Sequence, residues 1–261
     1  MVDNRPPDQG PDQPPRVVRR IAVQMPVAEP RLVYGLLGVI VLIFLYSFSL
    51  SPVERNLFFS DWAKVNPAIR DGEYYRLFTS MFLHLNLTHI LFNGYALYVL
   101  GRDVESLFGT ARFAVIYFLG GLSGSLASFI FTDAPSVGAS GAIFAIFGAE
   151  MVYFYQNRRL HGEMGRRHLN QLIFLMLLNL GLGFFSSATS GFRLDNAGHI
   201  GGLVGGVVLA WFIGPEFEVA QDASTVTGLR VVDRNQPRQW AGVSLAYAVG
   251  LAAMTVYAVA A

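Results

Sequence analysis

Residues 138–156 read GASGAIFAIFGAEMVYFYQ and residues 198–214 read GHIGGLVGGVVLAWFIG. Each run is apolar over nearly the length of a lipid bilayer and opens on one polar group, Ser140 in the first and His199 in the second. A hydroxyl or an imidazole inside a membrane helix is costly, so each is a functional-site candidate by default. The glycines say how the two can meet. Gly141, Ala145 and Gly148 recur at helical spacing on one run, and His199, Gly202 and Gly206 share a face of the other. Small residues at such intervals let membrane helices pack backbone to backbone. If the stripes meet, His199 lies within a turn of Ser140. Helix packing without chemistry is the plain alternative.

Working outward, the same pattern repeats along the chain. Segments near 32–51, 82–101, 111–131, 140–157, 169–187, 198–214 and 239–261 approach the roughly 17–25 apolar residues that a transmembrane helix needs. Of 261 residues, 53% are hydrophobic and 14% charged, where a soluble domain carries about a quarter charged. The expected fold is an all-α polytopic membrane protein. It comprises a six-helix bundle over 31–214, a polar cytoplasmic linker over 215–238 and one additional transmembrane helix over 239–261. Residues 1–30 contain NRPPDQGPDQPP, too polar and proline-rich to bury a core, and read as a disordered cytoplasmic tail. They lack the apolar stretch and cleavage site of a secretory signal. Residues 52–80 read as a long loop rich in charge and aromatics.

Basic residues set the orientation. With these spans, fourteen of the 19 Lys and Arg residues fall on one side and five on the other. The N-terminus is therefore expected in the cytoplasm. Ser140, His199 and the 52–80 loop are expected near the outer face of the cell (plasma or inner) membrane. The chain has no cysteine, which excludes a disulfide, a thiolate nucleophile and a cysteine-ligated metal. Its one lysine, Lys64, reads as compositional bias and carries no functional expectation.

Ser140 and His199 supply a nucleophile and its base, the minimum for covalent hydrolysis. Asp195 precedes the histidine by four residues, but GFRLDNAG has loop character, so the expectation is a dyad with Asp195 as a loop residue. Phe144, one turn beyond Ser140, can support the imidazole by stacking or serve only as core. Acyl transfer also needs donors for the developing oxyanion. Span two opens MFLHLNLTHILFNGYAL, where His89 and Asn93 share a helix face. Their side chains and the Ser140 backbone N–H are the expected oxyanion hole, and His84 is given a structural hydrogen bond. A metal site of His84, His89 and His199 is the rival reading. It is disfavoured because no HExxH motif or carboxylate partner occurs in these spans, so no metal or other cofactor is expected. Glu150, Gln156 and Asn179 read as helix–helix hydrogen-bonding groups, and Glu105 as a partner of Arg102 or Arg112.

HLNLTHILFN, GASG and NAGHIGGLVGG, in this order and on these spans, resemble the rhomboid family of intramembrane serine proteases. The resemblance covers about 32–214 and implies a Ser140–His199 dyad, an oxyanion hole at His89 and Asn93, and a water-accessible cavity opening to the outer face. Gly138, Gly141, Gly202 and Gly206 are the expected structural supports. The seventh span resembles the six-plus-one layout of some members. Two positions depart from the family. The first-loop Glu-x-Trp-Arg reads Glu73-Tyr74-Tyr75-Arg76, and Phe144 stands where tyrosine is frequent. The implied activity is hydrolysis of peptide bonds in or near transmembrane segments of membrane proteins within the bilayer, with no nucleic-acid partner. A non-catalytic rhomboid-like protein that escorts clients is the alternative. A transporter would show inverted repeats, and none is found. Oligomeric state has no reading.

Overall fold

The computed structural model describes residues 26–189, 194–225, 227–235 and 237–260, without the side chains of 186–189. The tail expected over 1–30 lies outside the described residues up to residue 25, as does Arg193. Helix α1 is Arg31–Ser49, α2 Pro52–Trp62, α3 Asn66–Arg70 and α4 Arg76–Thr79, the last followed by a 3₁₀ turn at Ser80–Phe82. Helix α5, Leu87–Ala96, passes through a π-helical turn at Leu97–Gly101 into α6, Arg102–Phe108. Then come α7 (Thr110–Phe131), α8 (Ser140–Gln156), α9 (Arg158–Thr189) and α10 (Asn196–Ile213). Strands β1 (Phe217–Gln221) and β2 (Leu229–Asp233) precede α11 (Pro237–Ala260).

The chain is an all-α polytopic membrane protein with one small hairpin. Helices α1, α7, α9, α10 and α11 are each long and apolar enough to cross a membrane. The other two expected spans are less regular. The second is interrupted by the π turn and gains Arg102, Asp103 and Glu105 in α6, whereas α8 has only 17 residues. Along their apolar stretches α1, α5, α9 and α11 leave many large apolar side chains uncovered, among them Leu42, Phe92, Phe174 and Leu245. That is the pattern of helices solvated by lipid.

The centre of the bundle is α7, α8 and α10, and glycine makes it possible. A Cβ built at Gly202 would collide with the Gly141 carbonyl, and one at Gly206 with the Ala145 backbone. The two stripes expected to meet therefore do. Helix α7 is a third member that the sequence reading overlooked. Its Gly120 abuts Ala145, and its Gly124 lies against Gly141 and the Gly198 carbonyl. Small-residue faces allow such approach, and dispersion then rewards it.

Several expectations are corrected outside this centre. Residues 52–80 are mostly helical rather than loop. Ser51 and Glu54 form a reciprocal capping box with Pro52 in the first turn, a strong local start signal for α2. The 215–238 segment carries the antiparallel hairpin, registered Phe217 to Asp233 and Gln221 to Leu229. Arg112 ties that hairpin to α7 by pairing with Asp233, donating to the Asn235 carbonyl and lying over Trp240. Glu105 pairs with neither Arg102 nor Arg112. It accepts the backbone N–H groups of Leu32 and Val33 at 2.9 and 2.8 Å and the Thr110 hydroxyl at 2.8 Å. The reason is the start of α1, where Pro30 offers no side-chain cap and the first amides lack intrahelical acceptors.

Within the bundle, Glu150 meets His168 of α9 at 2.7 Å, and Gln156 donates to the Trp211 carbonyl of α10 at 3.1 Å. Asn179 instead donates to Leu175 of its own helix. A left-handed Gly162 (φ +54°) breaks α9 and separates its first turn from the long span. Helix α11 packs on α7 and α10. Its Tyr247 hydroxyl lies 2.6 Å from Ser123, and Leu251, Ala258 and Val259 pack against the Ile69–Phe129 cluster.

Candidate active site

Helices α8 and α10 lie parallel in the centre, and their N-terminal ends form the site. Ser140 is the first residue of α8. Gly138, two residues before it, has φ +129°, a conformation that L side chains rarely adopt, and this turns the chain into the helix. His199 is in the first turn of α10, 7% exposed. Its Nε2 lies 2.9 Å from the Ser140 Oγ, with the proton's position set by the tautomer. Phe144 stacks on the imidazole with ring centroids 4.3 Å apart and planes 8° from parallel. The ring is thus held from one face by packing. Its Nδ1 has no hydrogen-bond partner among the described residues.

Asp195 is near but does not complete a triad. One carboxylate oxygen accepts the Gly198 N–H at 2.9 Å, making Asp195 the N-cap of α10. The other accepts the Ser136 hydroxyl at 2.6 Å. The residue read as part of a loop therefore fixes the start of the helix that carries His199.

Span two approaches the backbone just before Ser140. A Cβ at Gly138 would lie 2.7 Å from His89 Nε2 and 3.5 Å from Asn93 Nδ2, so both side chains border the backbone just before Ser140. Asn93 is buried, and its Nδ2 has no partner among the described residues. Asn86 caps α5 by accepting the His89 N–H at 2.9 Å, which positions His89 on the first turn. The Ser140 amide belongs to the first turn of α8, where no intrahelical acceptor exists and the helix dipole is positive. Asn93, His89 and this amide thus all border the start of α8. His84 is buried and meets His89 edge to face, centroids 5.0 Å apart. Among the described residues, no three His, Asp or Glu side chains are grouped to hold a metal ion.

A small cavity, with about 20 Å³ of room for water, opens beside Ser140 and His199. Ser80, Ser128, Ser136, Asp195 and Lys64 make much of its wall polar. Lys64 is the functional-site neighbour that sequence reading missed. It is 1% exposed, and its Nζ donates to Asn66 Oδ1 and to the carbonyls of Thr132 and Ala134 at 3.0, 2.8 and 2.9 Å, with that of Ser128 at 3.3 Å. Loss of water pushes its ammonium down to about 8, while Asp195 and Asp133 oppose that shift. The available signal was its solitude, one lysine in a chain that otherwise uses arginine.

The Rhomboid domain aligns with residues 71–216, more than half of the chain, and takes in every site residue above except Lys64. The chain belongs to the rhomboid family. It is 42% identical to rhomboid protease GluP of Bacillus subtilis over 152 residues, 58% of this chain and 28% of that one. Putative rhomboid protease YdcA of the same organism is 31% identical over 148 residues, 56% and 70% of the two chains. RHOMBOID-like protein 2 of Arabidopsis thaliana is 31% identical over 183 residues, 65% and 55% of the two. The match thus spans under a third of GluP and about half of the plant protein.

In this rhomboid, the Tyr75 substitution in the first loop keeps a polar tip at the family's tryptophan position. Its hydroxyl donates to Glu73 at 2.8 Å, and its ring meets Trp62 edge to face. The neighbouring Arg76 is buried, binding Glu73 and the carbonyls of Ser60 and Ala63. The loop fold is therefore carried by Glu73 and Arg76. Phe144 supports His199 by ring overlap alone.

Proposed function

We propose that this rhomboid is a serine endopeptidase that hydrolyses peptide bonds in or near transmembrane segments of other membrane proteins. The observation that carries the proposal is the 2.9 Å contact between Ser140 Oγ and His199 Nε2 at paired helix starts, beside unused donors. Ser140 attacks the scissile carbonyl and passes its proton to His199, which delivers it to the leaving amine. The Asn93 and His89 side chains and the Ser140 amide hold the oxyanion. Water then enters, gives its proton to His199 and releases the acyl group. The polar cavity wall supports water access at this depth.

A stable substrate helix hides its peptide bonds, so cleavage favours small or helix-destabilising residues near the cut. Rates that ignored helix stability across a substrate series would contradict this. The decisive experiment treats purified protein with a fluorophosphonate probe and maps the adduct. The expected label is on Ser140 alone. An unlabelled wild type, or a label unchanged in Ser140→Ala, would overturn the proposal.

The arginine distribution supports a cytoplasmic N-terminus and a site facing outward in the plasma or inner membrane. The absence of cysteine makes this testable. A cysteine placed at exposed Asp61 should react with an impermeant maleimide in intact cells, and one at exposed Glu163 only after permeabilisation. The reverse pattern inverts the topology.

A further inference from the structure

We infer that Lys64 is a positioning residue whose side chain clamps the α7–α8 connection into the shape that aligns Ser140, His199 and the oxyanion donors. The inference rests on the protease reading given above. The connection, residues 132–139, is held at three places. The Lys64 Nζ binds the carbonyls of Thr132 and Ala134, and the Lys64 backbone exchanges two 3.0 Å hydrogen bonds with Ser136. The Gly138 N–H is held by the Ser80 carbonyl at 2.9 Å. One further bond carries the clamp to the other catalytic helix, because the Ser136 hydroxyl meets Asp195, the cap of α10. Lys64 thus stands one link from the start of α8 and two from the start of α10.

The chemistry of the acceptors explains why an ammonium is used. The Ser128 and Thr132 carbonyls lie at the C-terminal end of α7, the negative end of its dipole, and carbonyl oxygens can only accept. A neutral apolar side chain of the same length would leave the Ala134 carbonyl without this donor, and the Ser128 and Thr132 carbonyls with only the Thr132 N–H and the Asn66 amide.

A structural staple and a positioning clamp differ in their response to pH. The ionisable groups facing Lys64 are Asp133 after α7, Asp195 at α10, Arg76 of α4 through the Ala63 carbonyl, and His199 across the cavity. As pH rises through about 8, native Lys64 sheds its proton while the unfolded chain keeps it until near its ordinary value of 10.5. Between those values the unfolded state binds more protons, so this group's contribution to stability increases with pH. The clamp, in contrast, loses a donor and loosens. Activity should fall over a range in which Lys64 does not lower the melting temperature.

The test compares the full wild-type chain with Lys64→Met in detergent. Hydrogen exchange at 132–139 and the start of α10 should be about tenfold faster in the variant, with α11 unchanged, and kcat should fall at least about tenfold at near-constant KM. The wild type should lose activity between about pH 7 and about pH 9.5 without a drop in melting temperature, and Lys64→Met should lack that limb. Unchanged exchange overturns the clamp, as does a variant that keeps wild-type kcat and pH limb. If Lys64→Met does not fold, the wild type decides alone. Exchange at 132–139, corrected for intrinsic pH dependence, must accelerate through about pH 8, and a flat profile overturns the inference. A wild type that cleaves no substrate sinks the protease reading only, since the exchange comparison still decides the clamp.

Discussion

Ser140→Ala is expected to reduce kcat/KM for a transmembrane substrate by about four orders of magnitude or more, and His199→Ala to do nearly the same. The argument lies in how the two groups share one step. Without the hydroxyl there is no covalent intermediate, and without the imidazole the hydroxyl keeps its proton. Because either loss removes the same step, the double variant should be little worse than the worse single one. If His199 only packed against Phe144, its effect would be small and would multiply with that of Ser140→Ala. Asn93→Ala, which removes one of the proposed oxyanion donors, should cost less, about a hundredfold to a thousandfold in kcat. Cleavage kinetics on the four variants, each checked for its wild-type melting temperature, measure the pattern. A multiplicative double variant would dissolve the dyad, and a Ser140→Ala protein of full activity would dissolve the enzyme.

The second large effect is expected at the helix contact. Gly202→Val with Gly206→Val should lower activity by about a hundredfold or more, the usual consequence of displacing reacting groups by about 1 Å. A Cβ at these positions meets backbone, the Gly141 carbonyl and the Ala145 main chain, so no side chain can rotate out of the way. Either α10 shifts from α8 and takes His199 off Ser140, or the core absorbs about 1–3 kcal/mol of strain per site. Gly202→Ala should fall between wild type and the valine variant, because even one methyl collides. Unchanged proteolysis in a well-folded double valine variant would show that this contact does not set the Ser140–His199 distance.

The apolar runs and their glycine spacing made the central geometry legible, since in a membrane helix few residue types permit such contact and each leaves a period in the sequence. The positions of His89 and Asn93 were legible for the same reason, as polar groups on one face of an apolar segment. Other features depended on partners remote in sequence. Glu105 was assigned to nearby arginines, but its acceptors are claimed by amides 72 and 73 residues away. Lys64 reads as compositional bias in the sequence because nothing around it in DWAKVNP shows the carbonyls that α7 presents. The α7 glycines were visible in GGLSG, yet with two stripes already matched the third had no assigned partner. Helix α2 was missed for a simpler reason. Its capping box lies within a segment whose charge and aromatics read as loop.

The carboxylate of Glu105 also acts as a depth gauge. Hydropathy lets an apolar helix of 19 residues slide along the bilayer normal at little cost, because lipid tails do not distinguish one leucine from the next. Two hydrogen bonds donated by the first amides of α1 to a fully buried carboxylate remove that freedom. A slip of one residue would forfeit both and leave a buried carboxyl with only the Thr110 hydroxyl as donor, a cost that shifts in apolar contact do not recover. The level of the first helix is therefore set by the second. It becomes fixed only after residue 105 has been synthesised and inserted, so the register of this end of the bundle is decided by a pair of helices rather than by either one alone.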